Sequence, residues 1–98
     1  MVTAAYELIT PEIAASLLES SYLKERYLSE STIQWLADEM LAGNWNENSE
    51  AIVVDEDGML RNGKYRMAAI VRSKVAIRMC VLRNAPRDGK YHDNLKMY

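Results

Sequence analysis

The chain has 98 residues, 49% hydrophobic and 27% charged, a balance that fits one globular domain and excludes a disordered chain. Its single cysteine, Cys80, excludes an internal disulfide and a cysteine-based metal cluster, and no apolar run reaches the roughly 20 residues that span a bilayer. The N-terminus lacks the basic flank and apolar stretch of a signal peptide, so a reducing cytoplasm is the expected compartment. The net charge of −2 conceals an asymmetry: residues 1–60 hold twelve acids against Lys24 and Arg26, and residues 61–98 hold ten bases against Asp88 and Asp93. Either the two halves neutralise each other across one fold, or the basic half offers a face to a nucleotide, a nucleic acid or an acidic partner. With no dense Lys/Arg run, any DNA association is expected to be weak or indirect.

In chain order, Ala4 to Ile9 reads as a short strand. Thr10-Pro11-Glu12 then opens a helix, with Thr as N-cap, Pro at the first helical position and an acid at the positive end of the dipole. Ile13 with Leu17 and Ala14 with Leu18 give that helix its apolar stripe, and the polar segment from Ser20 to Leu28 turns. Ser29 caps a second helix in which Ile33, Leu36, Ala37 and Met40 fall at i, i+3, i+4 and i+7, and Gly43 is placed to end it in a left-handed cap. Trp35 lies off the stripe, and Trp45 is expected to pack under a polar loop from Asn44 to Glu50.

Ala51-Ile52-Val53-Val54 has the β-branched character of a buried strand. Asp55-Glu56-Asp57-Gly58 is a hairpin turn, and Met59 to Arg61 returns as the next strand. Residues from Lys64 to about Arg72 are helical, with Met67, Ile70 and Val71 facing inward, and the alternation from Val75 to Leu82 is a strand. The fold class is therefore α+β, with a small mixed sheet and about three helices over residues 1–83. Residues 84–98 read as a polar tail.

The chemistry concentrates at Asn62-Gly63-Lys64-Tyr65-Arg66, where a strand turns into a helix. The first helical turn leaves backbone N–H groups unpaired and carries the positive end of the dipole. Gly63 has no Cβ to keep an anion away, and Arg66 supplies a planar charged fork suited to phosphate oxygens.

The ordered set of motifs resembles the ParB/sulfiredoxin-like superfamily, in particular its small phage and actinobacterial branch with a Gly-Gln-His-Arg signature. The matching pieces are Ile9-Thr10-Pro11-Glu12-Ile13-Ala14, Arg26 with Leu28-Ser29, and Met40-Leu41-Ala42-Gly43-Asn44-Trp45. They continue with Asp55-Glu56-Asp57-Gly58-Met59-Leu60 and Asn62-Gly63-Lys64-Tyr65-Arg66-Met67-Ala68-Ala69, so that the set covers roughly residues 7–83. The resemblance implies a nucleotide- or phosphate-binding site, for CTP or ATP, made by Gly63, the N–H groups of Lys64 and Tyr65, and Arg66, with Arg26 assisting. Lys64 stands where partition proteins have Glu and sulfiredoxins their reactive Cys, and Tyr65 stands where the branch has His. A lysine neither coordinates Mg²⁺ nor acts as that reductant, which removes most of the case for catalysis.

No catalytic or metal-ligating residues are assigned. Asp55, Glu56 and Asp57 read as a solvated turn, and Cys80 as an inert thiol. His92 stands alone in the tail. Three functions remain open. The first is a nucleotide- or phosphate-binding module, and the second a non-catalytic interaction protein that docks through Arg72, Arg78 and Arg83. The third is a small kinase or nuclease with Asp55, Asp57 or Glu25 as base.

Overall fold

A computed structural model describes residues 1–21, 28–45 and 50–86. The elements are β1 (Thr3–Ile9), α1 (Pro11–Glu19), α2 (Glu30–Leu41), β2 (Ile52–Asp55), β3 (Leu60–Asn62), α3 (Lys64–Ser73) and β4 (Ile77–Ala85). They form an α+β domain with one mixed sheet in the order β1-β4-β2-β3. The two ends of the described chain meet in β1 and β4, which pair antiparallel from Thr3–Arg83 to Ile9–Ile77. β2 runs parallel to β4 and closes an antiparallel hairpin with β3.

Local chemistry sets the helix ends. Thr10 Oγ1 accepts the Ile13 N–H at 3.2 Å and Ser29 Oγ accepts the Thr32 N–H at 3.4 Å, so α1 and α2 begin on side-chain caps. Gly43 takes a left-handed φ of 75° just past α2, as expected of a glycine in that place. α3 lies between α1 and α2, and its Met67, Ala69 and Ile70 join Ala14, Leu17, Leu36, Ala37 and Met40 over the inner sheet residues Ile52, Val54, Leu60, Met79 and Val81. Each large side chain in this cluster contributes roughly 1.5–3 kcal/mol by leaving water.

Several expectations shift. Ile13 and Val71 are exposed, because α1 turns Ala14 and Leu17 to the core and the buried stripe of α3 is centred on Arg66, Ala69, Ile70 and Ser73. With two polar residues in that stripe, apolar periodicity alone rotates the helix the wrong way. Lys74, not a glycine, closes α3 at φ 62°, and β4 begins at Ile77 and continues through Asn84 to Ala85. The expected tail therefore loses its first two residues to the sheet; the remainder from 87 onward, with His92, lies outside the described residues.

The β2–β3 turn is built around one carboxylate. Asp55 is 2% exposed; its Oδ1 accepts the Asp57 and Met59 N–H groups at 2.9 and 3.0 Å, and its Oδ2 accepts Arg61 Nε at 2.7 Å. Burial alone would raise its pKa, but these bonds outweigh it and hold the carboxyl below the usual range. The Asp55 contribution is thus complete above the unfolded-state value of about 3.9 and disappears as pH falls through the lower folded-state value. Asp55→Ala is expected to remove about 2–3 kcal/mol at pH 7 in urea unfolding and much less near pH 2.

Candidate functional site

Gly63 precedes α3 at φ 110° and ψ 18°, a left-handed conformation that few other residues adopt. A Cβ there would lie 2.5 Å from Ile52 Cγ2 and 3.0 Å from Ile52 Cβ. The glycine is therefore required twice by the fold itself, for its backbone angle and for the close passage of the turn over β2.

Arg66, in the first turn of α3, is 2% exposed. Its Nη1 donates to the Glu50 carbonyl and its Nη2 to the Ala51 carbonyl at 3.3 Å. Asn62 Nδ2 donates to the same Ala51 oxygen at 3.4 Å. The guanidinium thus clasps the segment leading into β2. Burial drives its pKa down to about 10, a fall that the Glu50 charge opposes, so it stays a cation at neutral pH. Tyr65 is half-buried, and its hydroxyl accepts the Ser29 N–H at 2.9 Å, joining the start of α3 to the cap of α2. Lys64 is 3% exposed.

Electrostatically, this helix start differs from its neighbours. α1 and α2 carry a side-chain cap and an acid in the first turn, whereas α3 has neither and places Lys64 and Arg66 at the positive end of its dipole. Cations there are locally unfavourable, by a few tenths of a kcal/mol each at a surface and more when buried.

Gly63, Lys64, Tyr65 and Arg66 are thus brought together by the fold, while Arg26 lies outside the described residues, as does Glu25. Arg72, Arg78 and Arg83 are not brought together. Arg72 Nη2 lies 2.5 Å from Glu30 Oε1 between α3 and α2, and Arg83 makes two bonds of 2.8 Å to the Glu7 carboxylate across β4 and β1. Arg78, five residues before Arg83 on β4 and so on the other face, stands 5.4 Å from the centre of the Tyr6 ring. Two of the three bind acids of the acidic half, so among the described residues these charges are neutralised across the fold rather than gathered into one basic face.

A cleft of about 270 Å³ lies away from the glycine turn, lined by Met40, Gly43, Trp45, Val75, Ala76, Ile77 and Arg78. Trp45 packs against the core, and its buried Nε1 has no hydrogen bond; the loop it is expected to lie under includes residues 46–49, which are outside the described residues. Asn62 is the member of the turn that sequence reasoning left without a role; its signal was polarity at the end of an apolar strand. No group of three His, Cys, Asp or Glu side chains among the described residues is placed to hold a metal ion, and none of their helices is long and apolar enough to cross a membrane.

No protein-family model, curated protein or solved structure matches the chain.

Gly63→Ala is expected to destabilise by about 3 kcal/mol or more, combining left-handed strain with overpacking against Ile52, read as a lowered urea midpoint at unchanged slope. Tyr65→Phe removes one buried hydrogen bond and leaves the Ser29 N–H without it, a loss of roughly 1 kcal/mol in the same measurement.

Proposed function

We propose that this chain is a nucleotide- or phosphate-binding module of ParB/sulfiredoxin-like kind, without catalysis of its own, that receives its anion at the first turn of α3. The observation that carries the reading is the charge conflict at that turn. This helix start has no capping side chain and no acid in its first turn, and it carries two buried cations, so an anion there would meet both the dipole and the side-chain charge. The element order adds support, since Gly63 stands at the strand–helix junction where the resemblance would have it.

The roles divide among the turn residues. Gly63 supplies the left-handed angle that starts α3 over Ile52, the first-turn N–H groups and Lys64 meet the anion, and Arg66 holds the turn by its carbonyl bonds while raising the local positive potential. Asp55, the best placed candidate base, is fully engaged by its own turn, which argues against the kinase and nuclease readings.

A second reading, a protein-interaction module, is favoured by a separate observation: Tyr6, Leu8, Trp35 and Leu41 are each between 47% and 60% exposed.

Calorimetric titration with CTP, ATP, GTP and inorganic phosphate tests the first reading. Because Arg66 is structural, the informative variants are Lys64→Met and Lys64→Arg. Binding tighter than about 1 mM is expected for the wild type and a tenfold or larger loss for Lys64→Met, with partial retention in Lys64→Arg. Absence of binding by all four anions to the folded wild type overturns it and leaves the interaction reading.

A further inference from the structure

Among the described residues β1 is paired on one side, to β4, and is the long open edge of the sheet. Natural edges are blunted by lysine, proline, bulges or brevity. β1 has no lysine, proline or bulge and is not short: it is seven residues long, Thr-Ala-Ala-Tyr-Glu-Leu-Ile, in unbroken register with β4, its first four residues are all exposed, and its one charge, Glu7, is held by Arg83 of its own chain. The other edge, β3, has three residues, all buried or half-buried.

We infer that β1 pairs antiparallel with β1 of a second copy of this chain, about a two-fold axis at Tyr6, to give one continuous eight-stranded sheet. Self-complementarity selects this occupant. With Tyr6 opposite Tyr6 as an aromatic cross-strand pair, Ala4 falls opposite Leu8, Ala5 opposite Glu7 and Thr3 opposite Ile9, so the side chains flanking the central pair meet large against small. Charge does not oppose this register. Glu7 is the only ionised residue of β1 and is already neutralised by Arg83 within its own chain, and in this register it never faces its own copy. Because β3 offers no comparable edge, the pairing closes at two chains and does not propagate into a fibre.

Sedimentation equilibrium of the full chain over about 5–200 μM tests the pairing. The expected result is a rise to twice the monomer mass for the wild type. Tyr6→Lys and Leu8→Lys should stay at the monomer mass with unchanged circular dichroism. In a Cys80→Ser background, Tyr6→Cys should form a disulfide-linked dimer on mild oxidation, since cross-strand Cα separations of about 4.5–5.5 Å suit that bond. Leu8→Cys should cross-link at least tenfold more slowly, its own copy lying about 13 Å along the strand. A monomer mass throughout, a dimer indifferent to both lysines, or equal cross-linking by the two cysteines overturns the inference. None of these readouts involves the anion, so the failure of either proposal leaves the other standing.

Discussion

The arrangement turns on the guanidinium of Arg66 beneath the start of α3. Its bonds to the Glu50 and Ala51 carbonyls fix the approach of the chain to β2, and Ile52, the next residue, is the one that leaves no room for a side chain at position 63. The strand, the turn and the helix are therefore one constraint expressed three times: a left-handed glycine, a buried cation on backbone oxygens and a β-branched residue pressed against the turn. Tyr65 extends it to α2 through the Ser29 N–H. A buried guanidinium is expensive to desolvate, and hydrogen bonds to carbonyls compensate only part of that.

Two explanations of the same motif consequently coexist. Glycine and arginine three residues apart at a strand–helix junction suit a phosphate, and they also suit a turn that passes closely over a strand and must fasten the segment before it. The fold accounts for Gly63, Tyr65 and Arg66 by contacts within the chain. Lys64 and Arg66 nevertheless stand at an uncapped helix start, where the dipole would prefer acids. The charge at that turn, more than the motif as a whole, is what the proposed anion would answer.

Much of the fold was legible because local signals agreed with it. Thr10 and Ser29 as caps, Gly43 after α2 and the acidic Asp-Gly turn each act within a few residues, and each is found where spacing put it. What was not legible depended on partners distant in sequence. Arg66 and Ser73 on the buried stripe of α3 are intelligible only once Glu50, Ala51 and the sheet are in place. Asp55 is a different case: its partners are local, at Asp57, Met59 and Arg61, but an acidic turn reads as solvated until those groups close around one carboxylate. The scattering of Arg72, Arg78 and Arg83 over three surfaces is a matter of topology, which charge counts along a sequence do not contain.

The pairing of β1 with β4 also bears on how the molecule comes into being. Thr3 and Arg83 are the farthest partners in the sheet, so β1 has its mate in the strand most distant from it along the chain. β2, β3, α3 and β4 can associate through short connections, while β1 must close a loop of nearly the whole domain. The sheet is thus closed by its most distant pair, and β1 is the strand whose attachment costs the chain most in loop closure.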